Sequence, residues 1–271
     1  MRLPSLVQAC HPEPSLAVTS ITTALALSAG RGAGAAWVAG ALLSGQLSVG
    51  WSNDWIDAER DRRTGREDKP AARGELAPGQ LRAAAIVAVA ACVPLSLAMG
   101  LWAGVAHLVA VAAAWAYNAR LKSTVASFAP YAVAFGLIPS IVTLGLPGSP
   151  WAPAWATVAG ALLGVGAHLA NVLPDLADDA ATGVRGLPHR LGPTGCSVLS
   201  AVLLLAATAT LVAGPGQIGR WGTAALLAAA LITGIGLSRA RRPGSRAAFR
   251  AVLVVAALDV GLLVTHGSAL T

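Results

Sequence analysis

Residues 34–61 read GAAWVAGALLSGQLSVGWSNDWIDAERD. The first part, 34–53, is small and apolar, and about 20 such residues cross the hydrocarbon of a bilayer. It leads directly into Asp54, Asp57 and Asp61. If the helix continues past the membrane edge, these aspartates stand at i, i+3 and i+7 and share one face. Three carboxylates so placed repel one another unless cations neutralise them. An apolar span that ends in a stripe of acids predicts a membrane helix with a cation-binding end.

Eight further stretches have the same apolar character: 15–30, 82–100, 102–119, 125–146, 153–173, 195–213, 219–238 and 248–267. Ala dominates several of them, which favours close packing of helices through small side chains. The composition agrees. Of 271 residues, 55% are hydrophobic and 11% charged, against about 25% charged in soluble domains. Mean hydropathy is +0.66. These values exclude an ordinary soluble domain and a disordered chain. The net charge of +7 and the pI near 10.3 could suggest nucleic-acid binding. The small number of charges argues instead for a basic membrane protein. Cys10, Cys92 and Cys196 are scattered, with no Cys-x-x-Cys, which speaks against a disulfide framework or a zinc site. The start, MRLPSLVQACHPEP, is broken by Pro and His and does not read as a cleavable signal peptide.

The positions of the cations orient the spans. With the N-terminus cytoplasmic, seventeen of nineteen Lys and Arg fall in inward segments, and only Arg31 and Arg220 fall outside. Such a bias sets topology. Trp37, Trp102, Trp151, Trp155 and Trp221 fall near the outer ends, as an interfacial belt does. The expected fold is therefore all-α: a polytopic membrane protein with nine transmembrane helices around a central cavity, N-terminus cytoplasmic. Arg62, Arg63 and the 239–250 run read as topology charges without catalytic duty.

Ten of the twelve acids fall in two inward segments. Seven follow the second span. Three, Asp175, Asp178 and Asp179, follow the sixth. Spacing by four puts Asn171, Asp175 and Asp179 on one helical face, with Asp178 about 60° off the Asp175 direction. The two clusters are four helices apart, which suggests a single domain over 1–271: helices 1–4 with a motif at 53–61, helices 5–8 with a motif at 171–179, and a ninth helix at 248–267. The site would lie at the interface of the halves. Mg²⁺ is held by one or two carboxylates together with substrate phosphates. Basic residues accompany both clusters: Lys69 and Arg73 after the first, Arg185 after the second, and Lys122 between them, near Tyr117 and Asn118. Metal ions with Lys and Arg are what a diphosphate leaving group requires.

These residues resemble a family. NDWIDAERD, residues 53–61, is similar to the NDxxDxxxD motif of the UbiA superfamily of intramembrane prenyltransferases. Asp175, Asp179, Gly183 and Leu187-Pro188 resemble its second aspartate motif, with Asn171 where a fuller version carries another Asp. YNARLK, with Tyr117 and Lys122, resembles its Tyr-x-x-x-x-Lys element, and Lys69-Pro70 with Arg73 its Lys-Pro-x-x-Arg segment. The resemblance covers nearly the whole chain. It implies that Asp54, Asp57, Asp61, Asp175, Asp178 and Asp179 hold Mg²⁺, and that Asn53, Lys69, Arg73, Lys122, Asn171 and Arg185 bind an isoprenyl diphosphate. It implies transfer of the prenyl group to a small aromatic or quinone-precursor acceptor, with Tyr117 orienting the diphosphate or stabilising cationic charge. Cyclisation without an acceptor is the alternative, and transport a more distant one. The expected place is the cell membrane with the active site toward the cytoplasm, with isoprenyl diphosphate, a small-molecule acceptor and the lipid bilayer as partners and no nucleic acid. His168 is expected to make a helix contact or a cavity hydrogen bond, and His107 to pack or be solvated at a helix end. Trp51 and Trp55 are expected to line the cavity or join the belt. Asp259 is expected to find a polar partner inside the bundle.

Overall fold

A computed structural model describes residues 3–67, 69–216, 219–240 and 247–270; the side chains of Leu3, Ala177, Asp178, Ala240 and Ala248 are not described. Arg2, Asp68, Arg241, Arg242 and Arg246 thus lie outside the described residues, as does the Asp178 side chain. The described residues form helices and turns, without strand. In chain order the helices are α1 (Leu3–Ala9), α2 (Pro12–Ser28), α3 (Ala35–Arg63), α4 (Pro78–Ala98), α5 (Leu101–Ala119), α6 (Ala129–Thr143), α7 (Ala154–Val172), α8 (Leu176–Ala181), α9 (Leu187–Ala213), α10 (Arg220–Ala240) and α11 (Ala247–Thr265). Each of the nine apolar stretches falls on one of them. Six, over 78–98, 101–119, 125–143, 154–175, 187–213 and 220–239, are long and apolar enough to cross a membrane.

Helix α3 has 29 residues and no proline. At 1.5 Å per residue it is about 44 Å long, against about 30 Å of hydrocarbon. Helices α2, α3 and α11 are not among the six found in the described residues to be long and apolar enough to cross a membrane. Helix α9 starts before the apolar run at 195, because residues 187–191 form a first helical turn. Gly192, at φ 68°, and Pro193 kink the helix there.

Successive helices α2 to α7 pack in order, α7 then meets α9, and α9 meets α11, which returns to α2. Helix α10 packs outside, on α9 and α11. The main apolar core joins Leu25 and Ala26 of α2, Val38 and Leu42 of α3, Ile141 and Val142 of α6, and Leu211 of α9. This end of the bundle is remote from the aspartates, which lie at the opposite end of α3. Arg31 ties it together. Its guanidinium donates to the carbonyls of Met99 (2.8 Å), Val142 (3.1 Å) and Ile141 (3.4 Å), at the C-terminal ends of α4 and α6. Gly145 leaves it room, since a Cβ there would lie 1.7 Å from Arg31 Nη1. Large apolar side chains face outward, including Trp37, Trp102, Trp151 and Trp221. Trp155 instead packs edge-on to His266. Buried serines, threonines and acids face inward. This inside-out pattern suits a lipid surround.

Candidate active site

The helical face expected at the end of α3 is present and turned inward. Asp54 is 1% exposed, Asp57 6% and Asp61 4%. Two unit charges about 6 Å apart repel by about 3 kcal/mol at an effective dielectric near 20, so a buried trio needs cations. The chain supplies them. Lys69 Nζ donates to Asp54 Oδ1 at 2.6 Å, in a triangle closed by His11 Nε2, 3.0 Å from Nζ and 2.9 Å from that oxygen. Lys122 Nζ donates to Asp57 Oδ1, and Arg60 donates to Asp57 Oδ2 at 2.8 Å. Asn53 Nδ2 reaches Asp57 Oδ2 at 3.4 Å and Asn118 Oδ1 at 3.3 Å. Asn118 in turn donates to Ser52 Oγ and the Val49 carbonyl, each at 2.9 Å, and so fixes α5 against α3.

The second motif departs from the expected single face. Helix α7 ends at Val172, and Leu173–Asp175 form a 3-10 turn before α8. Pro174 lacks the N–H that would continue the α-helix and disfavours the α conformation of its predecessor. Asn171, Asp175 and Asp179 therefore do not share one continuous helix, and Asn171 is exposed. Asp175 is 44% exposed and lies 3.5 Å from Arg66. Asp179 is 20% exposed. It lies 4.0 Å from the same Arg60 Nη2 that binds Asp57. One guanidinium thus stands between the two motifs.

The remaining predicted residues divide. Tyr117 sits edge-on to Tyr131 (5.1 Å between ring centroids) and to His168 (5.6 Å), and His168 stacks on Tyr131 at 4.7 Å. His168 Nε2 lies 3.1 Å from Ser127 Oγ. Arg73 makes a forked pair with Glu75 (2.7 and 3.1 Å) and also donates to Gln8 and the Glu67 carbonyl; none of these belongs to an aspartate motif. Arg185 is exposed. Trp51 Nε1 donates to the Leu6 carbonyl at 2.9 Å, and Trp55 faces Arg82 at 5.7 Å. His107 is buried, with Ser96 Oγ 2.8 Å from its Nδ1. Thr208 donates to Asp259 at 2.5 Å. Arg62 and Arg63 pair with Glu59 on an exposed surface.

Tight packing holds the loops at this end. A Cβ on Gly186 would come within 2.4 Å of the Lys122 carbonyl, and one on Gly50 within 2.4 Å of the Cys10 carbonyl. Gly186→Ala is expected to push the Lys122 segment away from Asp57. Misplacement by about 1 Å can cost up to about 10²-fold in rate. Turnover of the purified variant, beside its thermal unfolding, checks this; unchanged turnover would show that the contact does not position Lys122.

Burial pushes the Asp179 carboxyl up from its ordinary value, with Arg60 opposing. Burial lowers the Lys122 ammonium, with Asp57 opposing. Among the described residues no three His, Cys, Asp or Glu side chains converge on a point as metal ligands do. The donor set nevertheless suits a divalent cation. Asp54 Oδ2 is buried without a hydrogen-bond partner, a state that ordinarily costs about 1–3 kcal/mol or more.

Residues 16–258 match the model of the UbiA prenyltransferase family. The chain belongs to that family. Three solved structures share its fold. A UbiA homologue from Archaeoglobus fulgidus bound to GPP and Mg²⁺ is 18% identical, with 96% of this chain and 99% of that one covered at a TM-score of 0.71. A digeranylgeranylglyceryl phosphate synthase is 14% identical, with 98% of each chain covered at 0.72. An apo UbiA homologue from Aeropyrum pernix K1 is 19% identical, with 92% and 96% covered at 0.70. No curated protein sequence matches the chain. At these identities the structural likeness is one of fold. With its apolar helices, family membership makes this a multi-pass membrane protein.

Three residues of this UbiA-family chain were not singled out from sequence. Arg60 read as one more inward cation, although its place inside the motif was a signal. His189 directly follows Leu187-Pro188. Its side chain is 8% exposed, both ring nitrogens are buried without a hydrogen-bond partner, and Nε2 lies 3.9 Å from Asp179. His11 is 43 residues from Asp54, and nothing in the local pattern announces it.

Proposed function

We propose that the chain is a Mg²⁺-dependent intramembrane prenyltransferase. It ionises an isoprenyl diphosphate and transfers the prenyl group to a small acceptor, an aromatic or quinone precursor. The observation that carries this reading is Arg60, which stands between Asp57 of one motif and Asp179 of the other. Two acidic motifs from distant parts of the chain thus face one charged space. The homologue bound to GPP and Mg²⁺ supports the class of substrate and of metal.

Asp54, Asp57 and Asp61 would hold metal on one side, and Asp175, Asp178 and Asp179 on the other. The bound ions would offset charge growing on the leaving diphosphate. Lys69 and Lys122, now on carboxylates, would turn to phosphate oxygens, with Arg73 and Arg185 at the rim and Asn53 and Asn171 beside them. Loss of diphosphate leaves an allylic cation, which the electron-rich face of Tyr117 can stabilise. The acceptor's nucleophilic atom then bonds to the allylic carbon and gives up its proton to solvent, which completes the exchange of diphosphate for acceptor. The topology that accompanies this reading has nine spans around a central cavity, one domain over 1–271, the N-terminus cytoplasmic and the site open to the cytoplasm at the cell membrane. The cation bias and the inward polar end of α3 support it.

The test uses purified protein in lipid nanodiscs with labelled isoprenyl diphosphates of several lengths and a panel of acceptors. Mg²⁺-dependent release of diphosphate and a prenylated acceptor by mass spectrometry are expected. A terpene formed with no acceptor would replace transfer by cyclisation. No release with any donor would refute the enzymatic reading.

A further inference from the structure

His11 is held in place by unusual means. Its backbone is left-handed, at φ 53° and ψ 68°, a conformation uncommon for a residue with a side chain. The turn between α1 and α2 that carries it is pressed onto α3, where the Cys10 carbonyl occupies the space over Gly50. Ser15 Oγ donates to that carbonyl at 2.9 Å, and Trp51 donates to Leu6 in α1. Strained backbone that its surroundings over-determine points to function.

The imidazole completes a triangle. His11 Nε2 lies 2.9 Å from Asp54 Oδ1 and 3.0 Å from Lys69 Nζ, and Nζ lies 2.6 Å from Oδ1. An ammonium donates only. In the tautomer in which Lys69 donates to both neighbours, Nε2 offers a lone pair and Asp54 Oδ1 accepts. A nitrogen and an oxygen lone pair thus converge on one cation. Bonds of about 2.1 Å from a metal to imidazole nitrogen or carboxylate oxygen, set at right angles, put the two ligand atoms about 3.0 Å apart. The observed separation is 2.9 Å. Asp54 Oδ2, buried and unpartnered, is a second independent sign that this carboxylate awaits a cation.

The geometry points to His11 as a metal ligand at the first aspartate motif, through Nε2, beside Asp54, with Lys69 standing in the cation's position. This rests on the proposed metal-dependent reading of the site. It adds a nitrogen donor to an otherwise oxygen set. Mg²⁺ takes oxygen ligands, whereas imidazole suits later divalent ions, whose affinity rises from Mn²⁺ toward Cu²⁺. The site should therefore favour Mn²⁺ and Co²⁺ more than carboxylates alone would.

The probe is Mn²⁺ alone, bound to the nanodisc protein and read by electron spin-echo modulation, where a ligating imidazole gives ¹⁴N modulation. Both proteins compared carry His189→Gln, so that imidazole seen near the first motif is that of His11. The ¹⁴N modulation is expected with His11 and lost in His11→Gln. Mn²⁺ affinity is expected to fall about tenfold and Mg²⁺ affinity less than threefold. Gln keeps a hydrogen-bonding group toward Asp54 and Lys69, so a role limited to orienting them would survive the change. Equal losses for both ions, or modulation that persists in His11→Gln, would overturn the assignment. Mn²⁺ bound tightly without imidazole modulation would sink it while leaving the metal reading intact. No binding of Mn²⁺ or Mg²⁺ would sink both.

Discussion

Asp54→Ala is expected to lower turnover by about 10³-fold or more, the loss typical when one electrostatic element is removed from a water-excluded site. Asp54 is 1% exposed, and its carboxylate accepts from Lys69 beside the His11 ring. Without it, the first motif loses its most enclosed charge, and the Lys69 ammonium, 12% exposed, loses its counter-ion. Removal of one partner from a buried pair costs about 3–5 kcal/mol, so a loss of fold must be separated from a loss of chemistry. Asp54→Asn keeps shape and hydrogen-bonding while removing charge, and should lose as much turnover. Single-turnover release of diphosphate, beside thermal unfolding in nanodiscs, makes the comparison. Either variant within tenfold of the parent, at intact fold, would remove Asp54 from the chemistry.

Asp179→Ala is the second large effect, about 10²- to 10³-fold, and should exceed that of Asp175→Ala. Asp179 is the more enclosed of the two, at 20% against 44% exposed, and shares Arg60 with Asp57. Asp175 faces Arg66 nearer to solvent, where screening weakens its pull on any bound ion. Parallel measurement of kcat and of Mg²⁺ dependence in both variants checks the order. A larger loss for Asp175→Ala would show that the 3-10 turn at Leu173–Asp175 carries the principal ligand of the second motif.

The contrast between the motifs shows what could be read from sequence. Over 35–63 no proline interrupts the chain, so helical periodicity carried from the apolar run into the acids, and the buried face of Asp54, Asp57 and Asp61 followed. Over 171–179 the same arithmetic assumed one helix, and Pro174 ended it; the shared face of Asn171, Asp175 and Asp179 dissolved into a turn. Lys69 and Lys122 were legible because they lie next to motifs and meet carboxylates. Arg73 looked equivalent, but Glu75, two residues on, engages it in a forked pair. His11 could not be found, because its meaning depends on a left-handed turn and on a carbonyl nestled over Gly50, both products of tertiary packing. The order of helices was legible from hydropathy. The return of α11 to α2 was not, because no sequence period encodes which distant helices touch.

Arg31 changes the meaning of the charge count that oriented the helices. It was one of only two cations assigned to the outer side. Yet its guanidinium caps the carbonyl ends of α4 and α6, where helix dipoles gather about half a negative charge each. It is a fastener for those two helices rather than a free surface charge. The arginine and the glycine that makes room for it thus hold together the end of the bundle remote from the aspartates, joining the turn after α2 to two helices that follow it much later in the chain.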